Sequence, residues 1–273
     1  MPSFLDCSLF LFVPADRPDR FAKAAGAGAD AVIIDLEDAV APAAKVAAAQ
    51  GLAKTLEDLQ APVPVFIRVN AVGTPWHQQD MAIVAGLRVQ GIVLPKAEAA
   101  ADLDRARAQI GPATSLVALV ESAKGLAFAA EIATHADRIA FGSVDFAADL
   151  GCAHSRDALL LARSQLVLAA RLAGKPAPID GVTLSISDAA DVEADARYGS
   201  ALGFAGKLLI HPAQIAAARR GLSPSAEDVA WATRIVESVA DGAAKAVDGA
   251  MVDAPVLARA RQFLNSRDRL LNG

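Results

Sequence analysis

Apolar residues along this chain gather in short runs, and all but the first carry a polar or charged residue at or next to their end. Seven runs stand out: LFLFVP (9–14), AVIIDLED (31–38), PVFIRVN (64–70), GIVLPK (91–96), SLVALVES (115–122), RIAFGSVD (138–145) and KLLIHP (207–212). Most are separated by Ala-rich stretches of helical period. Runs without a polar face predict strands covered on both sides, as in a parallel sheet, and the stretches between them predict the covering helices. Polar groups at the ends of such strands are where these folds do chemistry.

Helices are predicted over 18–27, 43–59, 77–85, 98–109, 125–134, 158–173, 188–202 and 212–220, with a polar loop, DLGCAHSRD, after the sixth run. A seventh strand is required at APIDGVT (177–183), although Asp180 and Gly181 interrupt it. Eight strand–helix units over some 210 residues match a (β/α)8 TIM barrel spanning 1–222. A dinucleotide-binding sheet would place GxGxxG after its first strand, where this chain has PADRPD. From 223 to 273 the pattern changes to a C-terminal helical extension: an amphipathic helix with Ser225 as its cap, a turn or short ribbon at AAKAVDGAMVDAP, and a last helix. This tail forms an extra layer or an arm reaching a neighbouring subunit.

Composition narrows the function. The 273 residues are 54% hydrophobic but only 5% aromatic, which suits Ala-packed helices around a Val/Ile/Leu sheet. Net charge is -5 with scattered Lys and Arg, so no basic stripe for nucleic acid is present. Cys7 and Cys152 form no CxxC pair, no basic residue precedes the first apolar run, so a signal peptide is not expected, and no apolar stretch reaches membrane-spanning length. A cytoplasmic, non-membrane protein is expected.

Glu121 and Asp145 each close an apolar run, so both are expected at the strand-end rim. Paired carboxylates repel unless a cation lies between them, and oxygen-only ligation favours Mg2+ or Mn2+. The alternative is capping by backbone amides or by Lys96. Arg68 sits in an otherwise apolar strand and needs an anion, either Glu37 or Asp38 from the neighbouring strand or a substrate carboxylate. If the strand continues that far, alternation along DLED points Asp35 and Glu37 one way and Asp38 the other, and at least one of the three is expected to hold Arg68 or a metal-bound water. Lys96, Asn70 and Ser122 are candidate substrate contacts. A Schiff base on Lys96 is disfavoured because the carboxylate pair already supplies an electrophile through its cation. His211 is a rim candidate; His77, His135 and His154 read as surface or loop groups.

The segments LFVPADRPDRFAKAAGAGADAVIIDLEDAVAP, FIRVN, VLPKAE, ALVESAKGL, FGSVDFAADLG, GKLLIHPAQ and DGAMVDAP occur in this order over nearly the whole chain. Together they resemble the citrate lyase beta-subunit-like branch of the HpcH/HpaI aldolase superfamily, which includes malyl-CoA, citramalyl-CoA and citryl-CoA lyases. The resemblance implies an Mg2+-binding barrel, commonly a homotrimer or hexamer. It places the metal ligands on Glu121 and Asp145, rather than Asp149, and the oxoacid-binding arginine on Arg68. Glu37 and Asp38 match an acidic pair that orients water and the arginine. Asp253 matches a proton-transfer aspartate that reaches the active site of the next subunit.

The implied reaction is retro-Claisen cleavage of a 3-hydroxyacyl-CoA to an acyl-CoA and a 2-oxoacid. Alternatives are hydrolysis of malyl-CoA, a CoA-independent aldolase acting on 4-hydroxy-2-oxoacids, and a non-catalytic oxoacid-binding or scaffold member. Free CoA and an acyl carrier protein complex both remain open. Arg17, Arg20 and Lys23 are the nearest basic residues for a CoA phosphate.

Overall fold

The computed structural model describes residues 4–238, 245–247 and 250–272. Eight parallel strands close a barrel in chain order: β1 (Leu9–Pro14), β2 (Ala31–Asp35), β3 (Val65–Arg68), β4 (Gly91–Leu94), β5 (Ser115–Val120), β6 (Arg138–Phe141), β7 (Ile179–Asp180) and β8 (Gly206–Leu209). Pairing of β8 with β1 completes the ring, as expected for a (β/α)8 barrel. Around it run α1 (Phe21–Ala25), α2 (Lys45–Asp58), α3 (His77–Val84), α4 (Ala100–Ile110), α5 (Ala123–Ala127), α6 (Ala129–His135), α7 (Ser143–Leu150), α8 (Leu160–Leu172), α9 (Ala189–Leu202) and α10 (Ile215–Leu222).

Strand alternation sorts the side chains into two cores. Phe10, Ile33, Phe66, Val117, Leu119 and Leu208 share the cluster that fills the ring. Leu11, Ile34, Ile67, Leu94, Leu116 and Val120 belong to the larger cluster that packs on the helices. The two-residue period places Asp35 with Ile33, Arg68 with Phe66 and Glu121 with Leu119, so all three top the inward-facing rows. Apolar packing below therefore delivers three charged groups to one end of the ring.

Three local expectations need correction. The sixth strand ends at Phe141, and α7 starts at Ser143, so Asp145 lies in the first turn of a helix instead of at a strand end. The expected 125–134 helix is two helices, α5 and α6, meeting at Phe128. The seventh strand is only two residues long, Ile179 and Asp180, and its outward face carries charge. Asp180 there accepts from Arg163 Nε at 2.9 Å, and both side chains are buried. Beside them Lys207 Nζ, also buried, bonds to Asp195 at 2.9 Å and to the Gly181 carbonyl at 2.6 Å. Paired ions replace aliphatic packing on this wall, which is how a strand with an Asp can still be an interior one.

After the ring come α11 (Ala226–Ser238), an antiparallel ribbon of β9 (Lys245–Val247) and β10 (Ala250–Val252), and α12 (Ala254–Asn272). Residues 239–244 and 248–249 of the expected helix–ribbon segment lie outside the described residues. Ala232, Ile235, Val252 and Ala260 form a separate core, with the Trp231 and Phe263 rings 6.0 Å apart. Gln262 and Phe263 share a cavity with Ser8 and Ala205, which precede β1 and β8. The tail is thus placed beside the N-terminal end of the strands, opposite Asp35, Arg68 and Glu121. No helix among the described residues is long and apolar enough to cross a membrane.

Candidate active site

A cavity of about 430 Å3 opens at the C-terminal end of the ring. Phe12, Pro14, Val182, Leu208 and Ile210 give it an apolar wall, and Asp35, Asp38, Arg68, Glu121 and Asp145 give it a charged one. That combination, an apolar cleft with a few convergent polar groups, suits a small ligand with a charged end.

Arg68 organises one half of the charged wall. Its Nε and Nη2 donate to the two oxygens of Asp35 at 2.7 and 2.6 Å, and its Nη1 lies 3.3 Å from Glu37 and 3.2 Å from Asp38. The primary anion is therefore Asp35, one of the three DLED acids expected to hold the arginine, and not Glu37 or Asp38. The condition for alternation along DLED is not met, because β2 ends at Asp35 and the chain turns. Asp35 ties that turn by accepting from the Glu37 and Ala39 amides at 2.9 and 3.1 Å. Glu37 and Asp38 consequently both reach Arg68. Burial alone would lower the Arg68 pKa, but the surrounding carboxylates raise it, so it stays charged. The guanidinium also lies 4.8 Å from the Phe12 ring centroid.

Glu121, Lys96 and Asp145 make the other half. Glu121 Oε1 accepts from the Lys96 amide at 2.7 Å. Lys96 Nζ lies 3.3 Å from Asp145 and 3.5 Å from Glu37. Lys96 alone among the described non-glycine residues has positive φ, 47°, in the turn that follows β4. Burial opposes charge on Lys96, yet Glu37, Glu121 and Asp145 together raise its pKa. The alternative of capping by a backbone amide or by Lys96 is what the chain itself shows: the Lys96 amide meets Glu121 and its ammonium meets Asp145.

Burial pushes the Glu121 carboxyl up to about 8, helped by the nearby Glu37 charge and opposed by Arg68 and Lys96. It pushes Glu37 up to about 7, against the pull of Arg68. Glu37 Oε2 is buried with no hydrogen-bond partner, since its approach to Arg68 lacks hydrogen-bond geometry. Gly142 leaves room for Glu121: a Cβ there would stand 2.3 Å from Oε2. Buried Glu121 and half-buried Asp145 offer only hard oxygen donors, and the orphaned Glu37 oxygen beside them adds negative charge, a set that fits a divalent cation in place of the Lys96 ammonium. Among the described residues no three His, Cys, Asp or Glu side chains form a metal cluster, so Glu121 and Asp145 would be the protein's share of the shell.

The family model for HpcH/HpaI aldolase/citrate lyase matches residues 8–212, which carry every strand of the ring. The chain belongs to this family. A citrate lyase subunit beta-like protein of Mycobacterium tuberculosis is 41% identical over 265 residues, covering 93% of each chain. A (3S)-malyl-CoA thioesterase of Cereibacter sphaeroides is 35% identical over 264 residues, 93% of this chain and 92% of that one. A crystal structure of the M. tuberculosis protein CitE in complex with magnesium, acetoacetate and coenzyme A superposes with a TM-score of 0.86. It is 38% identical and covers 97% of this chain and 100% of that chain.

Not every residue expected to serve a family member's site lines the cavity. Asn70 is buried, with Oδ1 accepting from Lys45 at 2.6 Å and Nδ2 donating to Asp80 at 2.7 Å. Ser122 caps α5 by accepting from the Gly125 amide at 3.0 Å and donates to Glu98 at 2.7 Å. Both are committed to the scaffold, a correction to their reading as substrate contacts. His77 is buried against the Asn70 carbonyl at 2.8 Å, not on the surface. His154 is half-buried and bonds Ser143 at 2.9 Å, and His211 caps the turn after β8. Asp253 is exposed and accepts from the Val256 amide at 3.2 Å at the start of α12; it does not line the cavity of its own chain. A second cavity of about 350 Å3 shares Phe12, Pro14 and Ile210 with the first and is edged by Arg20, Lys23 and His211. Arg17 is instead paired with Asp19 at 2.8 Å.

Proposed function

We propose that this protein is a divalent-metal-dependent carbon–carbon lyase that cleaves a 3-hydroxyacyl-CoA of the malyl, citramalyl or citryl type into an acyl-CoA and a 2-oxoacid. The observation that carries this reading is the opposition, in one cavity, of a fixed guanidinium to a carboxylate pair suited to Mg2+. Glu121 and Asp145 would hold the ion, with Mn2+ as the substitute. When bound, the ion supplies Lewis acidity toward the oxygens of the oxoacid end.

The chain's own residues do the rest. Arg68, locked in plane by Asp35, receives the substrate carboxylate at the edge facing Glu37 and Asp38. A base takes the hydroxyl proton, and the O–H electrons become the second C–O bond of the oxoacid carbonyl. The bond between the second and third carbons breaks, and its electron pair stays on the acyl fragment as a thioester enolate, which is then protonated. Glu37, held near neutrality by burial, is poised to exchange a proton on the oxoacid side. Asp253 of a neighbouring subunit serves as proton donor on the thioester side, so the assembly is a homotrimer or hexamer whose 223–273 extension completes the site. The apolar wall and the adjoining Arg20–Lys23 groove give the acyl chain and a phosphorylated carrier their place.

A second outcome, hydrolysis of the thioester, is favoured by the similarity to the malyl-CoA thioesterase. The deciding experiment offers malyl-, citramalyl- and citryl-CoA with Mg2+ or with EDTA and scores 2-oxoacid and free thiol separately. Oxoacid without thiol establishes a lyase, and thiol release adds hydrolysis. No metal-dependent turnover of any of the three overturns the proposal.

A further inference from the structure

Past Asp35 one ladder bond remains, from the Leu36 amide to the Arg68 carbonyl at 2.9 Å, and the chain then turns, with the Glu37 carbonyl accepting from the Val40 amide at 3.2 Å. Lys45, the first residue of α2, adds a further tie. Its Nζ donates to the Leu36 carbonyl at 2.9 Å, to the Glu37 carbonyl at 2.5 Å and to Asn70 Oδ1 at 2.6 Å. Three protons meet three neutral oxygens, and the side chain is buried at 6% exposure. Asn70 is held in turn by Asp80 Oδ2, which accepts from its amide at 2.9 Å and its Nδ2 at 2.7 Å. Asn70 follows Arg68 by two residues, so one ammonium joins the turn carrying Glu37 and Asp38 to the end of the strand carrying Arg68. The Trp76 ring, 5.2 Å from Nζ, closes the cage.

We propose that Lys45 is a positioning residue for the reaction, holding the 36–38 turn so that Glu37 and Asp38 face Arg68. This deepens the lyase reading and rests on it for its kinetic consequence. Lys45 reaches the cavity through other groups and does not line it.

Lys45→Met in the full-length, metal-loaded enzyme tests this. We expect kcat to fall roughly 10–100-fold, the range for groups that orient direct ligands. KM for the thioester is expected to move by less than about threefold, because Arg68 and its Asp35 partner remain. In a Glu37→Gln background the same change is expected to cost less than about threefold, because its effect travels through Glu37. A general folding defect would cost the same in both backgrounds. A crystal structure of the variant is expected to show the Glu37–Asp38 turn displaced from Arg68. Unchanged kcat in an active wild-type background, equal losses in both backgrounds, or an unmoved turn overturns the proposal. Inactivity of the wild type toward all three thioesters sinks the lyase reading alone, and the position of the turn in the variant still decides the role of Lys45. Where Lys45→Met does not fold, Lys45→Gln, which keeps two donor protons, carries the same measurements.

Discussion

Asp35 and Arg68 stand opposite each other in the register of β2 and β3 and share two hydrogen bonds, at 2.7 and 2.6 Å. Because both project into the ring, the guanidinium plane is set by backbone pairing before any ligand arrives. Nη1 is left as the edge near Glu37 and Asp38. An incoming carboxylate thus meets an arginine whose conformational entropy has already been lost in folding.

That pair should also matter to stability. Asp35→Ala leaves a buried guanidinium without its bidentate partner, a change that costs about 3–5 kcal/mol. Urea denaturation of the purified variant measures it. A loss below about 1 kcal/mol would show that Glu37 and Asp38 can take over, as at an exposed pair.

Glu121→Gln and Asp145→Asn each keep side-chain size and remove a negative charge. Both are expected to abolish Mg2+-dependent turnover and weaken Mg2+ binding by calorimetry, with the melting transition retained. Wild-type activity that persists in EDTA would remove the metal from the scheme altogether.

The strand endpoints were legible because all but the first apolar run stop at or next to a polar residue, and alternation then puts Arg68 and Glu121 inside. Asp145 was misplaced because RIAFGSVD shows no break, whereas the strand ends at Phe141 and Gly142 precedes the first residue of a helix. The Asp35–Arg68 pair needs the β2–β3 register, which no single segment encodes. Asn70 and Ser122 look free in sequence, but Lys45, Asp80 and Glu98 reach them through the fold. Asp80 on α3 is itself buried only by the fold, so no signal in the sequence pointed to these partners.

The raised carboxyls give a pH signature. From an ordinary value of 4.5, burial lifts Glu37 to about 7 and Glu121 to about 8. Between those limits the folded chain keeps protons that the unfolded chain has released, so stability falls as pH rises. Their contribution is complete below about 4.5 and is lost as pH rises through about 7 to 8. Melting of the metal-free protein from pH 5 to 9 should therefore show a decline through that window. Mg2+ at Glu121 must displace the proton of that carboxyl, so its affinity is expected to rise with pH and its binding at pH 6.5 to release roughly one proton. Calorimetry in two buffers of different ionisation heat reads that number, and zero release would mean that Glu121 is already ionised.

Gly142 is required for space and not for its backbone angle, since its φ is -83°. In Gly142→Ala the new Cβ would stand 2.3 Å from Glu121 Oε2 and 2.4 Å from its Cβ, so the carboxylate has to move. We expect Mg2+ affinity to fall about 10–100-fold, as for other displaced ligands, with the circular dichroism spectrum unchanged. Equal affinity in the two proteins would place the ion elsewhere.

Asp253 lies at the start of α12, whose Gln262 and Phe263 pack at the opposite end of the ring from Arg68. A catalytic role for it therefore has to cross a subunit boundary. Asp253→Asn and Arg68→Met are each expected to be inactive alone. When the two are unfolded together and refolded as mixed closed oligomers, random pairing joins an intact Arg68 to an intact neighbouring Asp253 in roughly a quarter of sites. Recovery of about that fraction of wild-type turnover establishes the shared site. Continued inactivity of mixed oligomers, verified by differently tagged subunits, would confine the chemistry to one chain and remove Asp253 from it.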